Sequence, residues 1–285
     1  MRRRLPEWLR NKSPLAAETR EVRKVLAELN LNTVCSSARC PNRGQCYAEG
    51  TATFMILGSV CTRNCRFCAV DKGPVQPPDP GEPERVVTAA ARLQLRHVVI
   101  TSVTRDDLPD GGASQFAKTI KLIKRRLPEV SVEVLTPDFK GNRDAILTVV
   151  EAGPDIYNHN LETVPRLYDR IRPEADYRRS LELLKLVKSH GKGLLTKSGV
   201  MAGLGETGAE IEAVMDDLLA VNCDILTIGQ YLQPTKDHLP VVEYVKPAVF
   251  KEWEALAYQK GFKFVTAGPL ARSSYQAGRV RTVLV

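Results

Sequence analysis

From residue 97 onward, short β-branched runs alternate with amphipathic stretches. That rhythm restricts the fold more than any other feature, because strands separated by helices at this spacing form βα units, and consecutive βα units build a parallel sheet. Strands are expected at 53–57, 97–103, 131–135, 155–158, 193–200, 225–228 and 262–266. Seven strands define an α/β fold class, a full or partial (β/α) TIM-type barrel with N-terminal and C-terminal extensions.

The intervening segments read as helices. Phe116, Ile120, Ile123 and Leu127 recur at helical spacing until Pro128 stops the run. Ile211, Val214, Met215, Leu218 and Leu219 follow a Thr207/Glu210 capping box. A third helix over 181–190 ends at Gly191, a residue suited to a left-handed terminating turn. These stripes are core. The proline-rich stretch 73–83 reads as a long ordered loop, since the βα pattern resumes at once. Residues 1–50 lack the rhythm and form an extension folded against the barrel; 51–268 are the barrel and 269–285 a C-terminal tail.

Composition excludes several classes. With 43% hydrophobic and 26% charged residues in 285, the chain resembles neither disordered nor membrane proteins. Its apolar runs are far shorter than the ~20 residues of a membrane span. The start Met1-Arg2-Arg3-Arg4 is basic but no apolar stretch follows, so no secretory signal is expected and the compartment is cytoplasmic. Lys plus Arg exceed Asp plus Glu by 41 to 33, which favours acidic partners. The excess is dispersed, and groups such as Lys124-Arg125-Arg126 read as solvated helix faces rather than a nucleic-acid surface.

Six of the seven cysteines fall between positions 35 and 68, in two groups of three: Cys35, Cys40, Cys46 and Cys61, Cys65, Cys68. Disulfides suit small secreted domains. Zinc takes four ligands, and neither triplet supplies a fourth cysteine or a nearby histidine. A cubane [4Fe–4S] cluster held by three thiolates keeps one iron open for chemistry. The spacing in Cys61-Thr62-Arg63-Asn64-Cys65-Arg66-Phe67-Cys68 lets one loop wrap three corners of a cluster, with Phe67 placed to shield it. Cys223, in an apolar run after a helix, reads as a buried core thiol.

The second triplet resembles the radical S-adenosylmethionine (SAM) motif, and the first, just before it, resembles the auxiliary-cluster motif of the lipoyl synthase family. The likeness continues through the stretches beginning at Thr101, Asn158, Thr196 and Gly229 to Arg272-Ser273-Ser274-Tyr275. It implies two [4Fe–4S] clusters, SAM as cosubstrate, and insertion of two sulfur atoms at C6 and C8 of a protein-bound octanoyl-lysine. By the same resemblance Cys61, Cys65 and Cys68 hold the SAM cluster. Cys35, Cys40 and Cys46 hold the auxiliary cluster with Ser274, or alternatively Ser273. Thr101 and Ser102 are placed to contact the amino acid end of SAM, Asn158 and Glu162 its ribose, and Lys197 a carboxylate. The implied partners are octanoylated lipoyl carrier domains, of a 2-oxoacid dehydrogenase E2 component or the glycine cleavage H protein. A low-potential donor such as ferredoxin or flavodoxin is also implied. Another sulfur-inserting radical SAM enzyme such as biotin synthase would need a different auxiliary site, and the Arg-Ser-Ser-Tyr tail argues against it. A passive two-cluster carrier would not cleave SAM. No histidine is assigned a catalytic role.

Overall fold

The computed structural model describes residues 5–10, 18–37, 40, 42, 45–46, 53–275, 277–278 and 280. One sheet runs through the molecule in chain order: β1 (Asn32–Thr33), β2 (Thr53–Ile56), β3 (His97–Ser102), β4 (Ser131–Leu135), β5 (Ile156–Asn158), β6 (Leu195–Ala202), β7 (Ile225–Gln230) and β8 (Phe264–Gly268). Every pair from β2 to β8 is parallel, while β1 joins β2 antiparallel, Asn32 opposite Met55. Among the described residues β1 and β8 are the sheet's two ends, so the barrel is partial.

Six helices cross between successive parallel strands: α2 (Glu82–Arg92), α3 (Ala113–Arg126), α4 (Arg143–Glu151), α5 (Tyr177–His190), α6 (Gly208–Ala220) and α7 (Pro247–Lys260). The helix α1 (Glu18–Glu28) precedes them and is tied to α2 by Arg92–Glu28 at 2.6 Å and by Arg85 Nε donating to Leu29 O at 2.8 Å. The α3 stripe packs as its spacing requires: Phe116, Ile120 and Ile123 are fully buried, each contributing about 1.5–3 kcal/mol of apolar burial. The capping box of α6 is present, Thr207 Oγ1 accepting from Glu210 N and Glu210 Oε2 from Thr207 N.

The proline-rich stretch ends differently from expectation: Pro83 lies in the first turn of α2, where its missing N–H costs nothing. Gly191 is not left-handed either. Its φ is −86°, and the positive φ falls on Gly193. Gly191 is constrained by space instead, since a Cβ there would lie 2.6 Å from Leu194 Cδ2.

Side chains alternate across each strand. In β4, Val132 and Val134 join the helix-packed core while Glu133 faces the barrel interior. The interior floor is closed by Val280, packed on Ile156, Leu195, Ile225 and Phe264, which are the first residues of β5 to β8. The described residues of the C-terminal tail therefore reach from the barrel's mouth, at Ser273 and Ser274, to its floor at Val280.

Candidate active site

A cavity of about 480 Å³ opens at the C-terminal ends of the strands, where βα loops gather in this architecture. Cys61, Cys65 and Cys68 all line it. Their loop leaves β2 and is held in several ways. Val60–Cys61 pairs with Asp71–Lys72, Arg66 N donates to Ile171 O at 2.9 Å, and Cys68 N donates to Cys65 O at 3.1 Å. Cys61 Sγ accepts from the N–H groups of Arg63 and Thr104, both at 3.4 Å.

The deepest anchor is Arg63, 4% exposed, which meets Asp106 through Nε at 2.6 Å and Nη2 at 2.9 Å, and Asp138 through Nη2 at 2.6 Å. Burial opposes the charge of Arg63, but Asp106 and Asp138 more than offset it and hold the guanidinium protonated. Burial pushes the thiols of Cys65 and Cys68 up, that of Cys68 to about 11.

The remaining lining includes polar groups that are incompletely paired. Four buried atoms on cavity-lining residues have no hydrogen-bond partner among the described residues: Ser102 Oγ, His159 Nε2, Asn160 Oδ1 and Arg172 Nε. Buried polar atoms in folded proteins are normally satisfied, so these four suit a polar ligand such as SAM, with its ammonium, carboxylate and hydroxyl groups. His159 Nδ1 donates to Thr136 O at 2.9 Å, leaving Nε2 as acceptor. Burial, and then the Arg172 charge, lower its pKa to about 4, so the ring is neutral. Arg172 lies 5.5 Å from the centroid of Tyr168 and donates Nη1 to Asn160 O and Leu161 O. Glu162 lines the cavity with a backbone φ of 67°; burial raises its carboxyl pKa, and it accepts from Asn160 Nδ2 at 3.0 Å. Thr101 also lines the cavity, its hydroxyl donating to Leu135 O at 2.8 Å.

Two residues expected at this site lie one layer below it. Lys197 Nζ meets Glu133 Oε1 at 2.9 Å, and Asn158 Nδ2 meets the same oxygen at 3.3 Å, all three residues buried in the barrel. Burial opposes ionisation of Glu133, but the Lys197 charge keeps its carboxyl below the ordinary range. Asn160, two residues beyond Asn158 on the same side of the chain, reaches the cavity instead. His159 and Arg172 carry no spacing signal in the sequence. Each is one polar residue among many, and only tertiary packing buries it at the mouth.

Cys35, Cys40 and Cys46 line a second, smaller cavity with Asn42, Thr53, Arg272, Ser274 and Tyr275. It adjoins the first, because Cys35, Cys40, Arg272 and Ser274 line both. Asn42 Nδ2 donates to Leu270 O at 2.6 Å and Tyr275 OH to Gln45 Oε1 at 3.2 Å, joining the N-terminal extension to the tail. The two serines separate here: Ser273 Oγ accepts from Asn160 Nδ2 at 2.7 Å, whereas Ser274 reaches the cysteine-lined cavity. Gly229 makes this crossing possible, since a Cβ on it would collide with Ala271 O.

All seven cysteines are free thiols, with Cys223 buried and pushed by burial to about 12. Among the described residues no three His, Cys, Asp or Glu side chains converge as a single ion requires. Two adjoining cavities, each reached by all three cysteines of one triplet, suit the corners of a cluster, which are farther apart than the ligands of one zinc ion.

A partial parallel barrel whose first parallel strand feeds a three-cysteine loop at its mouth is the architecture of the radical SAM enzymes, and residues 55–218 match that superfamily. Among solved structures, the chain superposes on methylornithine synthase (PylB) with a TM-score of 0.56 at 13% identity, over 87% of this chain and 81% of that one. It superposes on coproporphyrinogen III oxidase (HemN) from Escherichia coli with a TM-score of 0.51 at 14% identity, over 72% and 51%. These likenesses are of fold. Residues 1–40 match the N-terminal domain of lipoyl synthase. The lipoyl synthase of Caldanaerobacter subterraneus subsp. tengcongensis is 61% identical over 274 residues, 96% of either chain. That of Oleidesulfovibrio alaskensis is 53% identical, over 96% of this chain and 94% of its own. That of Methylococcus capsulatus is 51% identical over 282 residues, 99% and 88%. The chain belongs to the lipoyl synthase family. It is a radical SAM sulfurtransferase with two [4Fe–4S] clusters, inserting two sulfur atoms into protein-bound octanoyl-lysine.

Proposed function

We propose that Cys61, Cys65 and Cys68 hold the cluster that binds SAM, and that Cys35, Cys40, Cys46 and Ser274 hold the auxiliary cluster that gives up sulfur. The observation that carries this division is the adjacency of the two cavities, which share Cys35, Cys40, Arg272 and Ser274. The chemistry supplied when these groups are bound is hydrogen removal from an unactivated carbon by a 5′-deoxyadenosyl radical, and sulfur donation at that carbon.

The residues of the chain bind, orient and exclude water. Ser102, His159, Asn160 and Arg172 present the unpaired polar atoms that SAM would satisfy, His159 Nε2 as an acceptor and Arg172 as a cation. Met55, Val103, Leu135, Val200 and Leu232 form an apolar wall of the same cavity, suited to an octanoyl chain. Phe67 and Tyr231 keep water from it. Residues 1–50 and 269–285 are read as the two extensions that build the auxiliary site, and 51–268 as the radical-generating barrel.

The enzyme acts on lipoyl carrier proteins. The lipoyl domain of a 2-oxoacid dehydrogenase E2 component or the glycine cleavage H protein is the proposed carrier, and ferredoxin or flavodoxin the proposed electron donor. A net charge of +8 supports an acidic carrier. No helix among the described residues is long and apolar enough to cross a membrane, in keeping with the proposed cytoplasmic location.

The test is to incubate reconstituted, reduced protein with SAM and an octanoyl-lysine peptide. Two 5′-deoxyadenosine molecules per lipoyl group are expected. Release of 5′-deoxyadenosine with no sulfur entering the peptide under any reductant would reject the reading.

A further inference from the structure

The stretch Tyr231 to Thr235 opens the β7–α7 connection, and Tyr231, Leu232, Gln233 and Pro234 from it line the large cavity. Its function follows from where the connection is tied. At one end Gln230 Nε2 donates to Ala202 O and Glu243 O, and Gln230 Oε1 accepts from Val245 N, so the base of the connection is fixed to the barrel. Within it, Tyr231 OH donates to Leu239 O at 2.7 Å and Gln233 Nε2 to His238 O at 2.7 Å. At its far side it reaches the cysteine loop twice: Leu239 N donates to Arg66 O at 3.3 Å, and His238 Nε2 to Cys68 O at 3.1 Å. A carbonyl can only accept, so Nε2 carries a proton, and the ring is oriented by Nδ1 lying 2.8 Å from Thr235 Oγ1.

We infer that His238 is a positioning residue for the reaction: through the Cys68 carbonyl it locks the cavity-lining wall contributed by the β7–α7 connection to the loop of the SAM-binding cysteines. The part of the octanoyl-facing wall that this connection supplies, Leu232, and the loop that would present SAM are then held together. This rests on the assignment of Cys61, Cys65 and Cys68 proposed above. Radical transfer depends on the distance and direction between the radical carbon and the substrate hydrogen, and misplacement by about 1 Å can reduce a rate on the order of a hundredfold. A merely structural histidine would change stability and leave the ratio of SAM cleaved to sulfur inserted untouched.

The experiment compares wild type, His238→Ala, His238→Gln and Thr235→Val, each reconstituted with iron and sulfide and reacted with SAM and an octanoyl-lysine peptide. Three readouts are taken: iron per chain, the electron paramagnetic resonance spectrum of the reduced protein before and after SAM, and 5′-deoxyadenosine per sulfur inserted. For His238→Ala, full iron content, an altered spectrum after SAM, and a 5′-deoxyadenosine to sulfur ratio raised on the order of tenfold are expected. His238→Gln, whose Nε2 can donate to the same carbonyl, is expected to restore both. A wild-type ratio and spectrum in His238→Ala would overturn the inference. If that variant does not fold, Thr235→Val decides, since loss of the Nδ1 partner must raise the ratio in the same direction and a wild-type ratio there overturns it equally. If wild type itself releases no 5′-deoxyadenosine, the cluster assignment fails, an outcome distinct from an unchanged ratio in the variants.

Discussion

Arg63 Nη2 lies 2.6 Å from Asp138 Oδ1, so the residue midway between Cys61 and Cys65 is fastened to the chain just beyond β4. The side chains are 4% and 0% exposed, and a buried pair of this kind, broken by removal of one partner, costs about 3–5 kcal/mol. Arg63→Met is expected to lose that much in chemical denaturation of the cluster-free protein and to take up less iron on reconstitution. Arg63→Lys should fall between, because one ammonium cannot match both carboxylates. A loss under about 1 kcal/mol for Arg63→Met would contradict the anchoring role.

Lys197 is paired with Glu133 beneath the cavity rather than free within it. Lys197→Met should therefore cost about 3–5 kcal/mol of stability by removing the cation paired with the buried Glu133 carboxylate. Combining it with Glu133→Gln should recover much of the loss. SAM affinity, measured by equilibrium dialysis on folded protein, is expected to stay near wild type in the double variant, and a collapse of affinity there would place Lys197 among the ligands after all.

The neutral, buried His159 gives a pH signature. Its folded pKa, about 4, is below the ordinary value of 6.5, so between those values the unfolded chain binds the extra proton. The associated stability is complete above about pH 6.5, declines as the pH falls towards 4, and is flat below. The decline is expected to reach about 3 kcal/mol at most. Unfolding free energies of cluster-free wild type and His159→Gln from pH 7.5 to 4 should diverge in this window, with wild type falling faster. Parallel curves would mean the imidazole is not buried neutral.

Gly229 clears the path of the tail. Gly229→Ala should displace Ala271 and with it Ser274, while Cys61, Cys65 and Cys68 are untouched. Iron per chain is expected to drop by roughly half, the share of one cluster in two. Iron and Mössbauer analysis would check this, and full occupancy of both clusters would show that the tail tolerates the methyl group.

Much of this was legible in the sequence. The strands were found because buried parallel strands are β-branched runs, yet their ends missed by up to two residues, as β6 starting at Leu195 shows, since hydrogen-bond register and not composition sets where pairing begins. The six cysteines were legible because their spacing is chemical. That Asn158 and Lys197 lie one layer below the cavity is not legible, because a strand's alternation says which side a residue faces, not how far along the barrel axis it sits. His159, Arg172 and His238 became visible only when packing placed them at the mouth, one buried and neutral, one stacked on Tyr168, one bonded to the Cys68 carbonyl.

The division of labour between the two cysteine triplets is tested most directly by the Cys35→Ala, Cys40→Ala, Cys46→Ala triple variant, reduced and given SAM and an octanoyl-lysine peptide, with products read by mass spectrometry. The intact loop of Cys61, Cys65 and Cys68 should still release 5′-deoxyadenosine, and the peptide should gain no sulfur. Sulfur insertion by that variant, or the absence of 5′-deoxyadenosine from it, would contradict the account.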